Sequence, residues 1–276
     1  MVYSTRKKVF HQFNIVFQSI IVFFTFLPFY FMAVSSLKTN PQIISNYFGI
    51  TFPLHFENYV KAFGRVAHYL WNSIVICGIT VAGVILLSCI SAYVFARYEF
   101  RGKKFLFILI LSFLMIPGVL TLIPQFVLIV KLNLIGTRWA AILPYIAYGQ
   151  IMAIFILRTF IEGIPRDIFD SAKIDGAGDI VAFFNIVIPF ARPMITSLAL
   201  MNFLANWNDF IWPLLVLPKE KMKTVTVGLY AFTDIQQIQY GILFAGFIIA
   251  SVPLVVLFSL NMNYFIKGVT SGAIKA

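Results

Sequence analysis

Charge is what this chain most lacks: Asp, Glu, Lys and Arg make up 11% of 276 residues, and only ten of them are acidic. A water-soluble domain draws about a quarter of its residues from those four types. With 61% of residues hydrophobic and 31 of them Phe, no soluble core could hide the apolar surface, and a soluble globular domain is excluded. Cysteine is down to two and histidine to three. Cys77 and Cys89 lie in one apolar run, about 18 Å apart on a straight helix and too far for a disulfide; they read as packing residues. The three His have no ligand spacing, so no metal site is expected. No Gly-x-x-x-x-Gly-Lys-Ser/Thr phosphate loop occurs, so the chain is expected to bind no ATP. His-Glu-x-x-His, Gly-x-Ser-x-Gly and paired intramembrane carboxylates are missing too, which removes the membrane hydrolases. The reading is a chain that is not an enzyme and holds no cofactor.

What the sequence does have is six apolar runs, approximately Ile15 to Leu37, Tyr69 to Ala96, Phe105 to Val130, Trp139 to Leu157, Met194 to Leu217 and Gly241 to Ile266. Each is close to or above the roughly 20 residues that cross about 30 Å of hydrocarbon. They predict an all-α bundle of six transmembrane helices forming one domain over 1–276. The first run exceeds the roughly 7 to 15 apolar residues of a signal peptide and reads as a retained helix. A net charge of +11 would suggest nucleic acid in a soluble protein. Here the basic residues sit in short loops: Arg6, Lys7 and Lys8, then Arg97, Arg101, Lys103 and Lys104, then Arg158, Arg166 and Lys173. No nucleic-acid partner is expected, only the bilayer, and the positive-inside rule places those loops and both termini in the cytoplasm. The segments 38–68 and 218–239 then lie outside.

The loop at about 159–190 differs from the other connections. Pro165 can open a helix whose first turn holds Asp167 at the positive end of the dipole. Ile168, Phe169 and Ala172 give it one apolar side, and Gly176 permits the reversal that ends it. Asp179 can cap a second helix carrying Phe183, Ile186 and Val187, which Pro189 is expected to stop. Periodicity alone leaves two readings, a membrane-surface element or a docking surface for a soluble partner.

Polar residues inside the runs call for a reason. Asn202, Asn206 and Asp209 fall at i, i+4 and i+7 on one face of the fifth run, and Gln150 sits within the fourth. They serve either as interhelical hydrogen-bond glue or as lining of a translocation path. Tyr145, Tyr148, Trp207 and Trp212 could offer ring faces to a solute, or anchor at the membrane interface.

Asp170-Ser171-Ala172, Asp175-Gly176-Ala177, Phe183, Ile186 and Pro189 together resemble the EAA loop of ABC-importer permeases. Asn72-Ser73, Ala92-Tyr93-Val94-Phe95-Ala96-Arg97, Trp207-Asn208-Asp209-Phe210, Trp212-Pro213, Thr224 to Leu229 and the tail Gly272-Ala273-Ile274-Lys275 extend the resemblance over nearly the whole chain. They are similar to the smaller, MalG-like permease of maltose-type carbohydrate importers. Two positions depart from the pattern: Asp170 stands for Glu, and Ser171 for the first Ala.

The resemblance implies a MetI-like type I importer fold in the inner membrane of a bacterium or archaeon, with a C-terminal cytoplasmic tail at about 267–276. It also implies a second homologous permease, two ATPase subunits that carry the ATP and Mg, and an extracytoplasmic sugar-binding protein. Ile168, Phe169, Asp170, Ser171, Ala172, Asp175, Gly176 and Ala177 would couple to an ATPase. There Ile168, Phe169 and Ala172 would fill an apolar groove, and Asp170 would meet a cation. Asn202, Asn206, Asp209, Gln150 and Trp207 would be substrate-path candidates, and Phe232, Thr233, Asp234 and Gln236 would face the receptor. An ABC permease for a non-sugar solute, and a secondary transporter, remain the alternatives. A secondary transporter would be expected to embed several ionisable residues, whereas only Asp209 is embedded.

Overall fold

The computed structural model describes residues 2–232 and 238–273, with side chains for 11–230, 232 and 238–262. Among the described residues there are helices and no strand. In chain order they are α1 (Val2–Ser35), α2 (Asn40–Ser45), α3 (Glu57–Arg97), α4 (Lys103–Ser112), α5 (Gly118–Lys131), α6 (Trp139–Glu162), α7 (Arg166–Ile174), α8 (Asp179–Ala182), α9 (Ile188–Asn208), α10 (Ile211–Val216), α11 (Val225–Ala231) and α12 (Tyr240–Ala273). The fold is all-α, as the composition predicts.

Five stretches are long and apolar enough to cross a membrane: His11–Ser35, Glu57–Arg97, Trp139–Glu162, Asp179–Asn208 and Tyr240–Met262. The third predicted run is not one straight helix. Lys103–Met115 and Gly118–Lys131 meet at an angle of 102°, and counting this bent pair as one crossing gives six. Pro117 explains the break, since it lacks an N–H and drives the residue before it out of helical geometry. Ile116 accordingly sits at φ −85°, ψ 115°.

A second correction concerns Pro189, which does not stop the helix after Asp179. α8 runs through a π-helical turn, Phe183–Val187, into α9. A wider turn shifts the hydrogen-bond register, and Pro189 falls in the first turn of α9, where a missing N–H costs little. The fifth span therefore begins about fifteen residues before the predicted Met194 and ends at Asn208. Asp209 then takes an extended ψ of 130°, which separates α9 from α10 and splits the predicted run. α3 is 41 residues long, about 60 Å at 1.5 Å per residue, so it must project beyond the hydrocarbon.

The chain divides into two compact units. The first comprises Met1–Ala67 and Leu229–Val252. Its core is Ala62, Ile242 and Ala245, flanked by Tyr59 and Ile249. Asn58 donates to the carbonyls of Ser36 (2.9 Å) and Lys38 (3.1 Å). The Lys38 ammonium is buried and donates to the Asn46 carbonyl at 2.6 Å, and burial pushes its pKa down. The apolar window of α1 is unburied; Phe13, Phe17, Phe23 and Phe24 all stand exposed, an arrangement that hydrocarbon suits and water would not.

The second unit comprises His68–Gly228 and Pro253–Ala276. One of its cores joins Cys89, Ala92 and Tyr93 of α3 to Leu157 and Ile161 of α6 and to Ile186, Val187 and Leu198. Another joins Ile76, Ile129, Ala140, Ile142, Trp212 and Val216. α6 and α9 pack closely at Gly149, where an added Cβ would lie 2.5 Å from Asn202 Oδ1 and 2.8 Å from a Val84 methyl. A small residue is the usual means of bringing two membrane helices together.

Candidate coupling loop and membrane cavity

Pro165 ends the α6 connection and starts α7, occupying its N-cap position at φ −54°, ψ 139°. Asp167 in the first turn and Lys173 in the last both complement the helix dipole. The end of α7 is a Schellman arrangement: Ala177 N donates to Ala172 O (2.8 Å) and Gly176 N to Lys173 O (3.0 Å). Gly176 has φ +81°, the left-handed geometry that a side chain disfavours.

The apolar side of α7 is turned onto its own chain. Phe169 is 8% exposed and belongs to the core with Leu157, Ile161 and Ile186, while Ile168 and Ala172 pack against the same cluster. Of the three residues expected to fill a partner's groove, Phe169 is spent on the chain's own core and Ile168 and Ala172 are half-buried beside it: an amphipathic helix across the ends of α3 and α6 turns its apolar side where the core is already apolar. What faces outward is Asp170, Ser171, Lys173 and Asp175, followed by an exposed Gly176 and a half-buried Ala177. The most exposed apolar groups of the loop are different ones, Ile174 at 87% and Ile180 at 75%.

Arg97, at the C-terminus of α3, holds α7 in place. Its Nη2 donates to the carbonyls of Ile161 (3.1 Å) and Ile164 (2.7 Å), at the end of α6 and in the turn before Pro165. Its guanidinium lies 3.8 Å from the Phe169 ring centroid. In the sequence Arg97 counts among the basic residues that orient the chain; the signal for its structural role is a cation at a helix C-terminus. Arg97, Arg166, Asp170, Lys173 and Asp179 line a cavity of about 380 Å³ with Tyr98. Burial and a hydrogen bond to Asp179 push the Tyr98 pKa up.

The intramembrane candidates separate into two groups. Asn202 Nδ2 donates to Leu198 O of its own helix (3.0 Å) and its Oδ1 faces the Gly149 notch, which is a packing role. Asn206 Nδ2 is buried without a partner among the described residues, Gln150 is half-buried, and Trp207 is buried and stacked on Phe203 at 5.4 Å. Asp209 lines a cavity. It accepts the Tyr145 hydroxyl at Oδ2 (2.6 Å) and the Ile211 N–H at Oδ1 (3.1 Å). With Gly118, Thr121, Gln125, Tyr148 and Trp212, these two line a space of about 260 Å³.

On the segment before the receptor-facing candidates, Asn72 Nδ2 donates to the carbonyls of Lys221 (2.8 Å) and Lys223 (3.0 Å) and its Oδ1 accepts from Arg138 (2.9 Å). Ser73 Oγ accepts the Val225 N–H (2.9 Å). Glu220 bonds both Lys223 and the Tyr69 hydroxyl, and these bonds, Lys223 first, hold its carboxyl below the usual range. Phe232 is buried beneath Arg65, whose guanidinium lies 5.6 Å from its ring centroid. Thr233, Asp234 and Gln236 lie outside the described residues.

Residues 84–271 match the family described as "Binding-protein-dependent transport system inner membrane component". The chain is 34% identical to the arabinooligosaccharides transport system permease AraQ of Halalkalibacterium halodurans, over 92% of this chain and 93% of that one. It is 30% identical to the trehalose/maltose transport system permease MalG of Thermococcus litoralis, over 90% and 91%. It is 32% identical to the diacetylchitobiose uptake permease NgcG of Streptomyces coelicolor, over 90% and 84%. Among solved structures, a chain of a bacterial ABC transporter that imports the acidic polysaccharide alginate superposes with a TM-score of 0.83 at 18% identity, covering 94% of this chain and 97% of that chain.

Proposed function

This chain belongs to the family of inner membrane components of binding-protein-dependent transport systems, and we propose that it is the carbohydrate permease that couples a partner ATPase to half of a translocation pathway. It is a transport component and not an enzyme. The sugar assignment draws its support from the relatives, whose names cite arabinooligosaccharides, trehalose, maltose and diacetylchitobiose. Two ATPase subunits carry the ATP and Mg, a second homologous permease completes the path, and an extracytoplasmic sugar-binding protein delivers the solute. The whole chain acts as one permease domain with both termini and α7 in the cytoplasm, in keeping with the basic loops.

One observation carries the coupling reading. α7 is stapled to α3 and α6 by Arg97 and Phe169, so a push on its exposed Asp170 side would travel into two spans through a rigid contact. A surface helix with its apolar side toward lipid would offer no such path. Ile168, Phe169 and Ala172 act as the inner bearing, while Asp170, Ser171, Asp175, Gly176 and Ala177 form the outward ridge. Asp209 faces the translocation path; Asn202, Asn206, Gln150 and Trp207 support it from the helix contacts. The segment at 232–236 approaches the receptor.

Asp170→Lys tests the coupling. A largely desolvated pair with an ATPase cation would cost roughly 2 to 5 kcal/mol on losing one partner, and an exposed pair under about 1. Asp170→Lys is expected to reduce copurification of the ATPase and abolish uptake, and Asp170→Glu to preserve both. Unchanged receptor-stimulated ATP hydrolysis and uptake in Asp170→Lys would refute the assignment.

A further inference from the structure

We infer that the cavity around Asp209 is a binding subsite for one sugar ring on the path of the transported carbohydrate. Two helix interruptions and a proline within a continuous helix meet there. Gly118 opens α5 directly after the 102° bend, Pro144 lies within α6, and Asp209 sits in the gap between α9 and α10. Irregular backbone at membrane depth is tolerated where it lines a cavity, and broken helices are where transporters place their solutes.

The lining specifies the chemistry of the occupant. A carboxylate has about four acceptor positions, and Tyr145 and the Ile211 N–H use two of Asp209's. Hydroxyl donors from a neutral solute would fill its remaining positions. Thr121 donates its own proton to Gly118 O (2.7 Å), so it offers the cavity an acceptor, and the Gln125 amide offers both donor and acceptor.

The aromatic lining completes the match. Tyr148 is 56% exposed and offers a ring face, while Trp212 is 4% exposed, its ring packed in the core with Ile76 and Ile142 and its Nε1 committed to Ala140 O (3.1 Å), so it forms the floor of the cavity. Convergent hydrogen-bonding groups beside ring faces suit a pyranose or furanose, which has hydroxyls at its edge and C–H groups on its faces. At about 260 Å³ the space falls just below the roughly 300 to 1,000 Å³ of pockets for larger ligands. It therefore holds one ring and passes an oligosaccharide ring by ring.

This subsite rests on the carbohydrate reading of the permease, and the test separates the two. The assembled importer is reconstituted with its receptor and given radiolabelled maltose, trehalose, raffinose and diacetylchitobiose. The sugar with the greatest receptor-dependent uptake then serves as the probe. Thr121→Cys is labelled with a small methanethiosulfonate; the native Cys77 and Cys89 are buried and give little background. The probe sugar, during ATP-driven turnover, is expected to slow labelling of Thr121→Cys at least threefold. Gln125→Leu and Tyr148→Leu should each lower uptake roughly three- to tenfold, the loss of one hydrogen bond or ring contact. Wild-type uptake of a sugar with unchanged labelling and unaffected Gln125→Leu would overturn the subsite and leave the permease assignment standing. Uptake of none of the four sugars, or protection by spermidine in place of sugar, would overturn the carbohydrate reading and the subsite with it.

Discussion

Replacing Arg97 with alanine should loosen α7 from the spans, and the size of the effect can be worked from its contacts. The guanidinium makes two charge-assisted bonds to carbonyls, at 3.1 and 2.7 Å, and one cation–π contact at 3.8 Å. Such bonds are worth about 1.5 to 3 kcal/mol each and a partly desolvated cation–π contact about 1 to 2. Both bonds come from a single nitrogen and Arg97 is only half-buried, so water recovers part of the loss. The expected cost is about 2 to 4 kcal/mol. Arg97→Lys should recover about half, because an ammonium can reach one carbonyl but lacks the planar fork. The sharper test is a double-mutant cycle with Phe169→Leu, read by detergent-induced unfolding of the purified permease. An interaction energy of about 1 kcal/mol is expected for the ring contact. In vesicles, Arg97→Ala should reduce uptake more than ATP hydrolysis, since the ATPase would turn over against a helix no longer fixed to its spans. An interaction energy below about 0.3 kcal/mol, which is the limit of ordinary additivity, together with wild-type uptake, would refute the stapling argument.

Gly176→Ala meets no atom within 4 Å of the added Cβ, so its cost should be backbone strain alone, about 1 to 2 kcal/mol, visible as a lower unfolding midpoint; Gly176→Val should cost more because its β-branch resists φ +81°. Glu220, with its folded pKa held down by Lys223 and Tyr69, contributes stability that is present above its ordinary value near pH 4 and lost as the pH falls below it. That side chain is 58% exposed, so the contribution should be under about 1 kcal/mol, and the acid loss should disappear in Glu220→Gln.

The class of the protein was legible from composition, because so little charge and so much Phe leave the bilayer as the one solvent in which the chain is stable. The helix pair around Gly176 was legible for a local reason: Pro165, Asp167 and Gly176 act within a turn of themselves, and the Schellman bonds at Ala172 and Lys173 are their direct consequence. Hydropathy failed where a proline broke an apolar run, and local rules failed where a neighbour set the outcome. Pro189 reads as a stop, but a π turn before it absorbs the missing donor. Phe105 to Val130 reads as one span, but Pro117 bends it by 102°. Periodicity marks Ile168, Phe169 and Ala172 as an apolar face without saying what covers it, and packing turned that face onto Leu157 and Ile161 of the same chain. The same limit applies to Asn202, Asn206 and Asp209, which share a helical face in sequence. The Gly149 notch takes Asn202 into a helix contact, and the break after Asn208 turns Asp209 toward Tyr145. A hydrophobic pattern states which residues must leave water; only the arrangement of helices around them decides which polar groups are left facing a cavity.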